Sequence, residues 1–349
     1  MGASLADVAN RAGVSTATVS RALRGLPSVA EGTRLRIVRI ARELDYTITP
    51  SASRLASGRT QTIAVVAPYV NRWFFGQLIV GIEEVLRAKG FDLLLYNLAD
   101  AVSRDRFFEA MPLRRRVDGV AVLSMPLSEE QAATLSGLGV PLGLVGAEVD
   151  GFACVRIDDV AGATSAMRHL VMLGHRDIAH ICGGGPVAHS FTTPRDRSRA
   201  YREVLHEAGI GYRPELEAVG DYTVAGGERA MSTLLSGATR PTAVFAQSDE
   251  MAFGALQAIR RSGLRVPDDI SLVGFDNHEL ADVLELTTVE QPVAEQGNLI
   301  AQILVDLLES GGEPPPTMTL PTRLVVRGST RPVQATPHQT VNGGRTGSD

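Results

Sequence analysis

Two sets of side chains in this 349-residue sequence are of the kind that recognise other molecules. The first is compact: Ser15, Thr16, Ala17, Thr18, Ser20, Arg21 and Arg24. Steps of four residues, Thr16 to Ser20 and Ala17 to Arg21, place members of this set on one face of a helix. Small side chains on such a face allow close approach to a base edge or a thymine methyl. Arg21 can hold a guanine or a phosphate through two parallel hydrogen bonds. The second set is scattered: the consecutive aromatics Trp73, Phe74 and Phe75, and the polar residues Arg197, Ser248, Asp276 and Gln291. Aromatic faces stack on the C–H face of a sugar or on a nucleobase. A guanidinium and a carboxylate meeting in a cleft hold adjacent hydroxyls, one donating a fork and the other accepting twice. Each set has a plainer alternative. The helix face is otherwise a solvated polar surface, the aromatics otherwise pack in a core, and the polar residues otherwise form caps or surface ion pairs. Asp249, beside Ser248, reads as a helix cap.

The elements that must position the first set are short helices. Ser4 can cap a helix, with Asp7 three residues on completing a capping box. Leu5, Val8, Ala9 and Ala12 then recur at helical spacing, and Gly13 suits a turn of positive φ. Ser15 starts a second helix with Val19, Ala22 and Leu23 inward. Thr33, Ile37, Ile40, Ala41 and Leu44 supply a third apolar stripe that closes a small core. Two helices joined by a Gly-containing turn form a helix-turn-helix, whose second helix enters a major groove by its N-terminus.

For the second set the sequence offers alternating apolar runs and helical stretches. "TIAVVAP", "FDLLLYNL", "DGVAVLS" and "PLGLVG" read as buried parallel strands, with a helix over 77–89. "DIAHICGG", "TAVFAQ" and "DISLVGF" form a second series, with helices near 160–173, 197–208 and 249–262. Two such series imply two doubly wound lobes whose ligands bind beyond the strand C-termini. Ser248 and Asp276 follow strands, and Arg197 opens a helix. Three consecutive aromatics cannot share one core face, so at least one is expected in the cleft.

Charge separates the two regions. Residues 1–60 hold nine arginines against four acids, a net +5, so the remaining 289 residues carry −10 within a total of −5. A basic head on an acidic body implies two tasks in one chain. No run of eighteen apolar residues exists, and the first thirty residues lack a basic leader with an apolar core, so the expected location is the cytoplasm. Cys154 and Cys182 fit buried reduced thiols. "GGGPVA" at 183–188 formally fits a dinucleotide fingerprint, but the polar, Pro-containing "HSFTTPRD" follows where that site needs an apolar helix. His169, His175 and His180 have no carboxylate or Cys support at ligand spacing, and no nucleophile elbow or Walker loop is present. No metal, cofactor or catalytic residue is expected. A sugar-binding transport protein would explain the body alone, and an enzyme would lack a catalytic constellation.

The strings "LADVANRAGVSTATVSRALRG" and "VAEGTRLRIVRIARELDY" resemble the N-terminal domain of the lactose-repressor (LacI/GalR) family of bacterial transcription regulators. "DDVAGATSAMRHLVMLGHRDIAHICG", "RPTAVFAQSDEMAFGALQAIRRSGLRVPDDISLVGFDN" and "LTTVEQP" resemble that family's periplasmic-binding-protein-like effector domain. The resemblance covers about residues 4–330 and implies an all-α helix-turn-helix domain plus a two-lobed α/β effector domain with doubly wound parallel sheets. It implies a helix-turn-helix over 1–46, a hinge over 47–61, an effector and dimerisation domain over 62–330, and a disordered tail over 331–349. Thr16 and Ala17 match base-discriminating positions and Arg21 the neighbouring contact. Leu55 matches the hinge leucine that wedges into the minor groove. Arg197, Ser248, Asp276 and Gln291 match effector contacts, and Phe74 and Phe75 match aromatics that stack on sugars. Three features depart from the pattern: Ile48-Thr49-Pro50 at the hinge, Gly146 where relatives place an acidic contact, and Trp73 in place of a proline. The implied partners are double-stranded operator DNA, a second copy of the chain, and a small effector, a carbohydrate ahead of a nucleobase. No tetramerising helix is legible in the tail, and the implied site of action is the bacterial nucleoid.

Overall fold

The computed structural model describes residues 3–23, 27–46, 59–184 and 192–333. Three helices form the head: α1 (Leu5–Ala12), α2 (Thr16–Leu23) and α3 (Glu31–Glu43). The capping box is present: Asp7 N donates to Ser4 Oγ at 3.3 Å, and Ser4 N donates to Asp7 Oδ2 at 2.8 Å. Gly13 ends α1 at φ 63°, where a side chain would be strained. Val8, Val19 and Ile37, one from each helix, are fully buried and hold the three together.

The body is two lobes, each a six-stranded sheet with helices on both faces. The N-terminal lobe contains β1 (Thr62–Ala67), α4 (Trp73–Lys89), β2 (Asp92–Asn97), α5 (Ala101–Ala110), β3 (Gly119–Leu123), α6 (Glu129–Ser136), β4 (Leu142–Val145) and β5 (Ala153–Ile157). The chain then crosses to the C-terminal lobe. There it forms α7 (Asp159–Met172), β6 (Ile178–Cys182), α8 (Thr192–Glu207), β7 (Glu217–Val219), α9 (Val224–Leu235), β8 (Ala243–Ala246), α10 (Asp249–Arg261), β9 (Ser271–Asp276), α11 (Glu279–Val283) and β10 (Thr287–Glu290). It returns to the first lobe for α12 (Val293–Ser310) and β11 (Met318–Leu320), then crosses once more for β12 (Arg323–Val325). Strand orders are β11-β5-β4-β3-β1-β2 and β12-β10-β9-β8-β6-β7, parallel throughout except for β12 against β10. Ile63, Val65, Val120, Val122, Val244 and Phe245 are fully buried, which is why these strands read as continuous apolar runs.

The returning helix α12 docks on α4 through glycines. A Cβ on Gly81 would lie 2.1 Å from the Ala294 carbonyl oxygen, and one on Gly297 2.2 Å from that of Leu78. The two backbones therefore meet without intervening side chains, and the first lobe is complete only with this late segment.

Two helices begin earlier than the apolar periodicity predicts. α4 starts at Trp73, taking the aromatic triplet into its first turn, and α8 starts at Thr192, with Pro194 tolerated in its first turn. Cys154 and Cys182 are buried free thiols, and burial raises both pKa values. The ordered chain extends past the expected start of the tail. His175 Nε2 lies 3.0 Å from the Arg331 carbonyl oxygen, Arg331 N donates to Ser271 Oγ, and Val333 N donates to the Leu173 carbonyl at 2.9 Å. Buried His175 and Ser271 need these partners, so residues 331–333 belong to the C-terminal lobe. The remainder of the tail and nearly all of the expected hinge, Leu55 included, lie outside the described residues.

Candidate functional site

On the head, α2 presents Thr16, Ala17 and Arg21 to solvent, while Ser20 is half-buried. Ser15 caps the helix: its Oγ accepts from Thr18 N at 3.1 Å and lies 2.9 Å from Thr18 Oγ1. The hydroxyls of Ser15 and Thr18 are thus occupied in building the helix start, and Thr16, Ala17 and Arg21 form its free face. Arg24 lies outside the described residues. Arg11 and Arg39 both turn toward Glu43, at 3.8 and 3.7 Å.

In the body, loops at the C-terminal ends of both sheets converge on one cavity of about 430 Å³. Phe74, Phe75, Arg197, Ser248, Asp276 and Gln291 all line it. The sheet topology explains the convergence, because parallel strands deliver their following loops to one edge. Arg197 is 3% exposed and heavily engaged. Its Nε donates to Asp159 Oδ1 at 2.7 Å, its Nη1 to the Gln247 carbonyl at 2.5 Å, and its guanidinium sits 3.4 Å from the Phe275 ring centre. Burial opposes its charge, but Asp159, with Tyr222 and Asp276 behind it, outweighs that and raises its pKa. Asp276 ends β9 at φ 129°, a conformation rare for a residue with a side chain. Gln291 Nε2 donates to its Oδ1 at 2.6 Å, and Gln296 Nε2 supports Gln291 Oε1 at 3.3 Å. Burial pushes the Asp276 carboxyl well up, against the pull of Arg197 and with the push of Asp249.

Asp249 is not the cap its position suggests. Ser248 caps α10 through Met251 N, leaving its hydroxyl proton free for the cavity. Asp249 is fully buried, accepts Thr288 Oγ1 at 2.6 Å and His278 N at 2.8 Å, and so pins the turn that carries Asp276. Burial lifts its pKa to about 6.

Trp73 departs from its expected role. At the first position of α4 it diverges from Phe74 and Phe75 by the helical rotation, and it reaches the opposite lobe instead of the cavity. Its Nε1 donates to Glu279 Oε2 at 3.3 Å and its ring lies 4.8 Å from that of His278. Gly146 lines the cavity at φ 85°, and its carbonyl accepts from Thr192 Oγ1 across the gap at 3.1 Å.

Several lining residues do not stand out in the sequence, among them Asp159, Tyr222 and Glu250. Asp159 follows Asp158, which caps α7, and the acidic doublet is the one signal that points to it. Tyr222 sits at φ 53° after β7, a strand too short to read by pattern, and its hydroxyl donates to Gln247 Oε1 at 3.2 Å. Gly183 lies against the Tyr222 ring, where a Cβ would be 1.9 Å from it, so the first glycine of "GGGPVA" serves packing.

A known protein matches nearly the whole chain: the HTH-type transcriptional repressor CytR of Escherichia coli K12 is 34% identical over 337 residues, covering 94% of this chain and 96% of CytR. The chain belongs to the lacI family of bacterial regulatory proteins. The pattern of that family matches residues 4–48, and that of a periplasmic binding protein-like domain matches residues 167–330. Another lacI-type relative, the HTH-type transcriptional regulator CelR of Thermobifida fusca, is 33% identical over 333 residues, covering 92% of this chain and 96% of CelR. Among solved structures, the lac repressor dimer bound to operator and the anti-inducer ONPF superposes with a TM-score of 0.82 at 27% identity, covering 95% of this chain and all of that one. A CelR–cellobiose complex matches with a TM-score of 0.70 at 32% identity over 94% of this chain and 99% of that one. This lacI-family chain is therefore a DNA-binding transcriptional regulator. Its charged head and its two-lobed body are the two parts of that architecture.

Proposed function

We propose that this regulator binds a pseudo-palindromic operator as a homodimer and that an uncharged polyhydroxylated molecule, a sugar or sugar derivative ahead of a nucleobase, sets its operator affinity from the cleft. The observation that carries this reading is the meeting of Arg197, Asp276 and Gln291 with Phe74 and Phe75 around one cavity. The polar group can hold adjacent hydroxyls and the aromatics can cover a ring face. The charge balance narrows the ligand: among the described residues the acidic groups of Asp159, Asp221, Glu250 and Asp276 line the cavity with the guanidiniums of Arg72 and Arg197, and Arg197 is already paired with Asp159. A phosphorylated sugar would find little unpaired positive charge there. Support also comes from the cellobiose held by the CelR structure and the ribose held by a LacI-family regulator of Enterococcus faecium.

On the DNA, Thr16, Ala17 and Arg21 of each head read base edges, Arg24 meets the backbone and Leu55 wedges the central step. The effector acts only through its differential affinity for two lobe arrangements. The protein works in the bacterial cytoplasm, on the nucleoid, without a cofactor and without catalysis. Among the described residues no helix is long and apolar enough to cross a membrane.

The test is a thermal-shift panel of cellobiose, ribose, nucleosides and sugar phosphates, with each hit carried into an operator mobility-shift titration. A neutral sugar that raises the melting temperature and changes operator affinity is the expected result. If only sugar phosphates bind, or if hits leave operator binding unchanged, the reading fails.

A further inference from the structure

The N-terminal lobe carries a basic patch that the helix-turn-helix does not account for. Residues 114–116 are three consecutive arginines, all exposed, in a body that is otherwise acidic. They lie on a turn anchored from below by buried Met111, Leu113 and Val117, and closed by Arg114 N to the Met111 carbonyl and Arg116 N to the Leu113 carbonyl. Arg115 is held at φ 58°, a backbone region where arginine has no intrinsic preference. No ion pair of Arg114 or Arg115 occurs among the described residues. Arg116 is partly engaged, with Nη1 3.5 Å from the Tyr96 hydroxyl and from the Pro112 carbonyl.

The position of this turn matters more than its charge. It immediately precedes β3, which runs parallel to β1, so it sits at the end of the sheet where the chain arrives from the head. Asp118, two residues after the last arginine, fixes that arrival: it accepts Thr60 N at 2.8 Å, Thr60 Oγ1 at 3.0 Å and Gln61 N at 2.7 Å. Leu55 is six residues before Gln61, and a chain of six residues spans at most about 20–22 Å. With Leu55 seated in a minor groove, as proposed above, that length is the upper limit on the distance from Gln61 to the groove, and the turn lies at the end of the lobe where the chain arrives from the DNA. Asp118 spends its oxygens on Thr60 and Gln61, and among the described residues it forms no ion pair with the three arginines.

We infer that the 113–117 turn is a second DNA-contacting surface, in which Arg114 and Arg115 meet backbone phosphates beside the central operator step. The inference rests on the DNA-binding reading and extends it from the head to the effector domain. It also gives the DNA a direct contact with the lobe whose orientation the effector changes. Phosphate contacts carry no base information, so this surface adds affinity and salt dependence without adding sequence preference.

The experiment uses the full-length protein and the tightest duplex that the wild-type chain recovers from a random-sequence pool, titrated over a range of salt. Arg114→Ala/Arg115→Ala is expected to lower the salt slope by about 0.9 for each phosphate no longer neutralised, about 2–4 for a dimer, with affinity down about tenfold or more at low salt. Arg114→Lys/Arg115→Lys is expected to keep most of the slope, since a point charge still serves a phosphate. A double-Ala variant with unchanged slope and affinity overturns the inference and leaves the turn to an acidic protein partner. A double-Lys variant that loses as much as double-Ala also overturns it, since the turn is then structural. A wild-type chain that recovers no duplex refutes the DNA-binding reading and this inference together.

Discussion

Arg197 is built into the C-terminal lobe as much as it is aimed at a ligand, and replacing it by methionine measures how much. The variant removes a buried ion pair with Asp159 at 2.7 Å, a bond to the Gln247 carbonyl and a contact over Phe275. Breaking a buried pair by removing one partner costs about 3–5 kcal/mol. The Asp159 side chain keeps 11% exposure at the cavity wall, so water relieves part of that charge, placing the pair near the low end at about 3 kcal/mol. Removing the cation–π interaction adds about 1–2 kcal/mol. The expected destabilisation is about 4 kcal/mol, close to the whole margin of a weakly stable domain. Asp159→Asn alone is expected to cost about 1–2 kcal/mol, because Arg197 keeps its other acceptor and the nearby Asp276. The double variant Arg197→Met/Asp159→Asn should cost less than the two single costs together, with a coupling of about 2–3 kcal/mol. Urea unfolding followed by circular dichroism at neutral pH reads all four proteins. If Arg197→Met lies within about 0.5 kcal/mol of wild type, or if the two changes add, the structural part of this account is wrong. The same result decides how effector data are interpreted. Loss of response in an Arg197 variant reports ligand contact only if the lobe remains folded, so Asp276→Asn is the cleaner probe of binding.

Other measurements address separate parts of the molecule. Arg21→Ala should weaken operator binding by about 1–3 kcal/mol while leaving non-specific binding nearly unchanged; equal losses on both in mobility-shift assays would make Arg21 a phosphate contact. Asp249 has a folded pKa of about 6 against an ordinary value of 3.8, so the folded state takes up its proton first as pH falls. Its burial penalty is complete above pH 6 and is relieved on acidification toward pH 4, by up to about 3 kcal/mol. The stability difference between wild type and Asp249→Asn should therefore change across that window and be flat above it; a difference constant from pH 4 to 7 refutes this. Trp73, the one tryptophan of the chain, bridges the lobes through Glu279 and His278. A ligand confirmed by calorimetry should alter its emission or its access to acrylamide, and no change in either would show that this bridge does not move with the cleft.

Much of this organisation is legible in the sequence because it rests on local pattern. The capping box at Ser4, the turn at Gly13 and the stripe of Ile37, Ile40 and Ala41 each follow from residue types a few positions apart. Six of the seven apolar runs are strands buried throughout, because both faces of each sheet are covered there. The seventh, "FDLLLYNL", is the edge strand β2, which has no buried residue and leaves Leu95 exposed, so the expectation of a buried strand fails for it. Short edge strands escape such a reading: β7, β11 and β12 have three residues each, too few for a periodic signal. The cleft is legible in part. Arg197, Ser248, Asp276 and Gln291 do converge with Phe74 and Phe75, but Trp73 does not join them, because the starting point of a helix sets which side chain points where. Asp249 shows a different limit. At the first position of a helix it has the composition of a capping residue, and only the tertiary approach of Thr288 and the His278 amide gives it another role.

The return of α12 to the first lobe has a consequence for how the protein comes into being. The head closes its core from residues within the first 46, so it can fold as soon as it leaves the ribosome. The N-terminal lobe cannot: Ile300, Ala301 and Leu304 of its core, and the Gly297 contact against Leu78, are made more than two hundred residues after β1. By then strands β6 to β10 of the second lobe have all been synthesised. At about 5–20 residues per second, a DNA-binding head waits on the order of ten seconds or more, tethered to an unfinished body. Head and cleft are therefore assembled in the order opposite to the one in which an effector signal travels through them.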